Sequence, residues 1–427
     1  MSEFVEYRRE FHKYAEVSWT EIRTSARVAE ILDSFGYKDI LMGTQVLDTD
    51  VIIEPVRLID EQKEIEKERA VNQGAKKIWV DKTEGYPGVI VEYDTGIQGN
   101  VSAFRFDIDS LAYDECDTDG YRPKEQGYRS INKDSVHACG HDAHTSIGLG
   151  IAKKIIQSQN IKSGKIRLIF QPAEESYSGA EAIVSKGHLD DVNYFMSLHL
   201  ALTALGKPMP SNTLCCGCKD FLSDTQWDVF FEGKAAHPCG ASQEGKNAIL
   251  AACSATLNIH TIAPHEAGLF RVNVGEIRGG VAVNTIAPNA MISVEYRGEK
   301  QIIAEYARKR VKEILDGAAL MHDVTYSVLD YGEIPAACSD DEIMEKVQDA
   351  AKKVDWFKNI HFEGNIGGTD DASVMMAKVQ SHGGVATYVG IGTDANDLLH
   401  GPAFDFDEDC IDATIELFIN VLEDLHK

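Results

Sequence analysis

A chain of 427 residues, 44% hydrophobic and 26% charged, is long enough to bury a large core and has the composition of a globular protein of about two domains. Its 42 basic residues against 68 acidic ones leave a net charge of -26, a surface that repels phosphate backbones and anionic lipid. Nucleic acid and membrane surfaces are therefore not expected partners, and no stretch reaches the roughly 18 apolar residues a membrane helix needs.

The opening "MSEFVEYRREFHKYAE" is charged from its third residue and lacks the apolar core of a signal peptide. Nine cysteines scattered along the chain fit reduced thiols better than a disulfide framework, so the cytoplasm is the expected compartment. From Phe4 to about Phe35 the apolar spacing predicts helix. "DEQKEIEKERAVNQGAKKIW" (60–79) reads as a solvated surface helix. Then come apolar runs of strand type, "GVIVEY", "VSAFRFDID", "KIRLIFQPA", "YFMSLHLA" and, much later, "GGVATYVGIG". Helical patterns such as "TSIGLGIAKKIIQSQ" (145–159) lie between several of them. Strands alternating with helices argue an α/β domain whose mixed, mostly parallel sheet is flanked by helices.

The middle of the chain follows another order. Between about Asp224 and Asp330 the pattern reads strand, helix, strand, strand, helix, strand: the β-α-β-β-α-β arrangement of ferredoxin-like domains. The expected organisation is a catalytic domain of residues 1–222 and 331–427, interrupted by an inserted domain of residues 223–330. The open sheet face of such an insert can be covered by a second protomer, so dimerisation is expected. A lone CxxC, Cys215 to Cys218 in "CCGC", has no second pair at zinc-finger spacing and reads as structural.

In α/β sheets ligands bind beyond the carboxyl ends of the strands, and polar residues gather here where apolar runs stop. "RLIFQPAEE" ends in Glu174 and Glu175, "YFMSLHLA" carries His199, "VHACGHDAH" leads into a helix, and "NDLLHGPAF" places His400 in a loop. Cys139, His141, Glu175, His199 and His400 together supply the thiolate, imidazole and carboxylate groups that hold a catalytic divalent metal. Cys139 and His141 lie two apart, so an extended segment would point both to one side. Adjacent Glu174 and Glu175 can diverge, one to the metal and the other to its water, as metal-assisted hydrolysis requires. Two rival readings stand beside this one: Cys139 as a nucleophile with His137, His141 or His144 as base, and a metal-stabilised regulatory subunit without its own catalysis.

The series "RREFHKYAEVSW", "ACGHDAHTSIGLG", "IFQPAEE", "GKAAHP", "NTIAPNA" and "LLHGPAFDFDE" resembles, in the same order, the metallopeptidase family of aminoacylase, carboxypeptidase G and succinyl-diaminopimelate desuccinylase. Within it the chain is most similar to the branch whose first ligands are Cys-Gly-His, that of indole-acetyl-amino-acid and hippurate hydrolases. The likeness runs from about residue 4 to 420 and takes in the charged insertion near 50–85.

The resemblance implies Cys139, His141, Glu175, His199 and His400 as ligands of one or two divalent ions, zinc or manganese with cobalt also possible, and Glu174 as general base. It implies that His237 reaches into a neighbouring protomer's site to steady the oxyanion, and that Asn284 and Arg297 meet the substrate's carbonyl and carboxylate. The implied reaction is hydrolysis of the amide of an N-acyl amino acid, foremost an N-aroyl glutamate such as p-aminobenzoyl-glutamate. The implied assembly is a homodimer or a heteromer with a related subunit. Departures from the family pattern are Asp370 in "TDD", one methylene shorter than the usual glutamate, and Ser176, where glycine is common. Asp107 stands where many relatives carry a metal-binding histidine, and Asp109 is expected to orient a ligand from behind.

Overall fold

The computed structural model describes residues 2–52, 58–366 and 368–427, so part of the insertion near 50–85, residues 53–57, lies outside the described residues. The chain forms two compact units, residues 1–219 with 338–427, and residues 220–337. Among the described residues fourteen strands run in chain order: β1 Leu41–Met42, β2 Val89–Asp94, β3 Val101–Asp107, β4 Lys165–Gln171, β5 Tyr194–Leu200, β6 Thr213–Cys215, β7 Cys218–Lys219, β8 Ser223–Glu232, β9 Phe270–Gly279, β10 Asn289–Gly298, β11 Thr325–Ile334, β12 Asn359–His361, β13 Gly364–Asn365 and β14 Val385–Ile391.

The first unit is built on an eight-stranded sheet ordered β1-β2-β4-β3-β5-β14-β6-β12. Its centre, β4, β3, β5 and β14, is parallel, while β1 and β2 at one edge and the β14–β6 pair are antiparallel. The central strands are buried along almost their whole length, as strands covered on both faces must be. The helices Ile22–Phe35 and Asp409–Leu425 pack on the helix His141–Gln157, and Gly179–Ser185 packs with Ala372–Ser381. A β-carbon at Gly148 would come within 2.6 Å of the Phe106 ring and 2.7 Å of the Phe170 ring. Glycine therefore lets this helix lie directly against the sheet.

The second unit is an antiparallel sheet ordered β11-β8-β10-β9 with the helices Ala248–Ile259 and Gln301–His322, giving the β-α-β-β-α-β order. Strict alternation along β10 turns Ile292, Val294 and Tyr296 into a core with Trp227, Val229, Ala255 and Val311. No helix among the described residues is long and apolar enough to cross a membrane.

Three expected elements differ. The predicted helix from Phe4 to Phe35 is two helices, Glu3–Lys13 and Ile22–Phe35. Trp19 takes φ 69°, Val17 bridges to Ser110, and the Glu16 carboxylate accepts the Arg23 and Thr24 N–H groups of the second helix. The charged stretch divides into Asp60–Asn72 and Lys77–Lys82 where Gly74 turns left-handed at φ 91°. The helix expected from residue 145 begins at His141, because Gly140 sits at φ 87° as its N-cap. Cys139 and His141 are therefore not on an extended segment.

Candidate metal centre and active site

Every donor of the first unit comes from the carboxyl-terminal side of the parallel strands. Asp107 and Asp109 end β3 and its extension, Glu174 and Glu175 follow β4, His199 lies in β5, and His400 follows β14. Cys139 and His141 flank the left-handed Gly140 at the start of the central helix. Despite that turn, the Cys139, His141 and His199 donor atoms all lie within 4.8 Å of one another. The same holds for Cys139, Glu175 and His400, and for His141, Glu174 and Glu175. The five expected ligands and Glu174 thus form one connected cluster.

Hydrogen bonds fix which atoms of the cluster are free to ligate. His141 Nδ1–H donates to the Asp109 carbonyl (3.1 Å) and to Asp109 Oδ1 (3.2 Å), which turns Nε2 into the cluster. His199 Nδ1–H donates to the Leu200 carbonyl (2.7 Å), so its Nε2 lone pair faces Cys139 Sγ at 3.2 Å. Buried His141 Nε2 and Glu175 Oε1 have no hydrogen-bond partner, the condition a bound cation relieves. His400 Nε2 lies 3.8 Å from Glu175 Oε2, its backbone at φ 65° held by His400 N–H to Ala138 O (2.8 Å) and Tyr113 Oη–H to His400 O (2.6 Å). Asp109 Oδ2 also accepts the Glu175 N–H at 3.0 Å, so this carboxylate touches both His141 and the Glu175 backbone.

The electrostatics call for positive charge. Burial, reinforced by Glu175, Glu174 and Asp107, pushes the Cys139 thiol well up. Burial acts to lower His141, but Asp107 and Asp109 outweigh it and raise the ring to about 10. Burial and Asp109 lift Glu175 to about 7 in spite of His141, and burial with Asp370 and Glu175 lifts Glu174 well above the usual carboxylate range. Thiolate, imidazole and carboxylate donors with unpaired buried atoms fit a divalent metal. They do not fit a thiol nucleophile. The ring facing Cys139 is His199, which burial and His144 hold neutral, and a buried thiol among carboxylates resists ionisation.

Behind the cluster stands an ion network that the sequence pattern did not reveal. Arg105, in the middle of β3, reaches Asp107 (2.6 Å), Asp371 (2.7 Å), Asp370 (3.3 Å) and Gln171 (2.8 Å). Asp370, short as it is, accepts Tyr388 Oη–H at 2.5 Å and the Ala372 N–H at 2.8 Å. Ser176 closes its own loop with Ser178 at 2.7 Å. His144 donates from Nδ1 to Asp107 and accepts the Leu200 N–H at Nε2, so both nitrogens are engaged structurally. His137 is buried with both ring nitrogens unpaired and is held neutral at about 3, by burial foremost. A charged residue inside "VSAFRFD" was the available sign of this network.

The remaining expected site residues belong to the second unit. His237 is exposed, and its Nδ1 accepts N–H groups of Cys239 (3.2 Å) and Gly240 (3.0 Å), which places the proton on Nε2. Asn284 is exposed. Arg297 is half-buried and engaged by Asp224 (2.9 Å) and Glu295 (2.7 Å). Cys215, Cys216 and Cys218 are buried free thiols and join no metal-binding group among the described residues.

Residues 103–424 match the peptidase family M20/M25/M40. The chain belongs to this family. The chain is similar to an indole-3-acetyl-aspartic acid hydrolase of Enterobacter agglomerans, 38% identical over 97% of this chain and 94% of that one. A p-aminobenzoyl-glutamate hydrolase component of Escherichia coli K12 is 39% identical, over 96% and 93%. The crystal structure of an aminobenzoyl-glutamate utilization protein from Klebsiella pneumoniae superposes with a TM-score of 0.80 at 34% identity, covering 99% of this chain and 95% of that one. As a family member the chain is a metal-dependent hydrolase of amide bonds.

Proposed function

We propose that this enzyme cleaves the amide of N-acyl amino acids, with an N-aroyl glutamate such as p-aminobenzoyl-glutamate as its preferred substrate. The observation that carries the reading is the closed donor set around the unpaired His141 Nε2 and Glu175 Oε1, with buried Glu174 beside it. Cys139, His141, Glu175, His199 and His400 would hold one or two divalent ions, zinc suiting the mixed donors best and manganese or cobalt being alternatives. Such ions, when bound, polarise the scissile carbonyl and make water acidic enough to attack near neutral pH.

Glu174 takes the proton of the attacking water and returns it to the departing amine. Its raised proton affinity suits that shuttle. His237, with its proton on Nε2, donates to the oxyanion of a neighbouring protomer's site, which makes the second unit, near residues 223–330, both lid and dimer contact. Asn284 meets the carbonyl, and Arg297 takes the substrate carboxylate in exchange for Glu295. A cavity of about 790 Å³ lies beside the cluster, lined by Ala201, Met209, Pro210, Leu398, Leu399 and Asp394. Its mainly apolar wall adjoins the segments of His199 and His400 and supports an aromatic acyl group there. The working assembly is a homodimer or a heteromer with a related subunit, in the cytoplasm.

The test is hydrolysis of a panel of N-acyl amino acids varied in both halves by zinc- or manganese-reconstituted protein. Benzoyl and aminobenzoyl glutamates should lead the panel. Failure to cleave any member, alone or with a related subunit, would defeat the proposal.

A further inference from the structure

Residues 14–21 break the first helix and supply no ligand, yet their side chains reach two of the segments that carry the site, at Asp109 and at residues 173–178. Ser18 Oγ–H donates to Asp109 Oδ2 at 2.7 Å, the oxygen that also accepts the Glu175 N–H. Glu21 Oε1 accepts the Ala173 N–H at 2.7 Å. Trp19 Nε1–H donates to Ser178 Oγ at 3.0 Å. Ala173 and Tyr177 take φ 57° and 51°, so two left-handed non-glycine residues bracket Glu174, Glu175 and Ser176. The backbone around the proposed base is therefore held in a conformation it does not adopt unaided. The bracing segment is itself anchored, by the Val17–Ser110 bridge and by the bonds of Glu16 to Arg23 and Thr24.

We propose that Glu21 and Ser18 are positioning residues for hydrolysis. Glu21 holds the left-handed turn at Ala173 and thereby sets the Glu174 carboxylate, while Ser18 holds Asp109 and thereby sets His141 and Glu175. The inference rests on the reading of Glu174 as base and of His141 and Glu175 as ligands. Space-filling does not account for Glu21: it is 0% exposed, and its Oε2 has no hydrogen-bond partner. A buried carboxyl with one oxygen unsatisfied is costly, and an apolar side chain would fill the same volume more favourably.

The two bonds separate into two measurements on the full chain. Glu21→Ala, Glu21→Gln, Ser18→Ala and Glu174→Gln are compared by kcat and KM on a benzoyl amino acid, by Zn²⁺ affinity in competition with a chromogenic chelator, and by melting of the metal-free protein. Glu21→Ala should lower kcat by about 10–100-fold with KM and Zn²⁺ affinity nearly unchanged, as loss of base alignment does. Glu21→Gln should recover most of that loss, because its amide oxygen still accepts from Ala173. Ser18→Ala should weaken Zn²⁺ binding about 10-fold while the metal-free protein melts as before. The proposal is overturned by normal kcat in Glu21→Ala, by equal loss in Glu21→Gln, or by normal Zn²⁺ affinity in Ser18→Ala. Should Glu21→Ala not fold, Glu21→Leu, which keeps the volume and removes the acceptor, takes its place in both comparisons. Undiminished turnover in Glu174→Gln would instead remove the base assignment and the Glu21 half with it, leaving the Ser18 half to its Zn²⁺ affinity.

Discussion

Replacing Arg105 with methionine keeps a long side chain in β3 and deletes its charge. The guanidinium is fully buried and lies 2.6 Å from Asp107, 2.7 Å from Asp371 and 3.3 Å from Asp370. Removing one partner of a buried ion pair costs about 3–5 kcal/mol, and here three carboxylates lose the same cation, so the upper end, about 5 kcal/mol, is expected in mild alkali. Protonation relieves part of this. Burial and Asp370 already raise Asp371 to about 7 against the pull of Arg105, and loss of the arginine raises that carboxyl further. The folded pKa of Asp371 then exceeds the unfolded one by more than in the parent, so at this group the folded variant binds more protons than the unfolded chain. Its stability therefore falls as pH rises, by about 1.4 kcal/mol per pH unit for each proton taken up. Urea unfolding of the chelator-treated protein at about pH 5.5 and about pH 8 should show a deficit against the parent that widens with pH. A deficit under about 1 kcal/mol, or one equal at both pH values, would refute Arg105 as the counter-charge of this network.

Glu174→Gln should retain metal and lose about 10²–10⁴-fold in kcat, since a general base contributes on that scale; near-normal kcat with metal bound would sink the assignment. His237→Ala should lose about 10²–10³-fold, and mixing it with Glu174→Gln protein should restore activity through hybrid dimers; no rescue would argue against donation between protomers. His12 is held as a cation between Asp142 and Glu115, both at 2.8 Å, and although burial opposes it these bonds raise the ring to about 9. Its folded pKa exceeds the unfolded one, so its contribution, on the order of 3 kcal/mol, is complete below about pH 6.5 and lost as pH rises through about 9. His12→Gln should flatten that part of the stability profile; an unchanged slope between pH 7 and 9 would contradict the assignment.

The α/β sheet and the β-α-β-β-α-β insert were legible because strands buried on both faces are near-continuously apolar, whereas those of the insert alternate. The groups that cluster in the candidate site could be read for a related reason. Thiol, imidazole and carboxylate groups clustered where apolar runs ended, and strand ends are where an α/β sheet binds ligands. The break at residues 14–21 was not legible, since that stretch holds no proline or glycine and keeps its apolar residues near helical spacing. What breaks it is tertiary: Glu21 bonds Ala173 across 152 positions of chain. Arg105 and Asp371 lie 266 positions apart, so their pairing had no local signature, only the oddity of a cation inside an apolar strand.

Four of the five donors are walled in, while the His400 side chain is 55% exposed. That asymmetry separates how tightly an ion is held from how quickly it is exchanged. In the proposed centre the enclosed four would set the affinity, having little left to reorganise, and His400 would be the doorstep across which an ion enters and leaves. Substitutions on the His400 loop should accordingly change metal residence time more than metal preference.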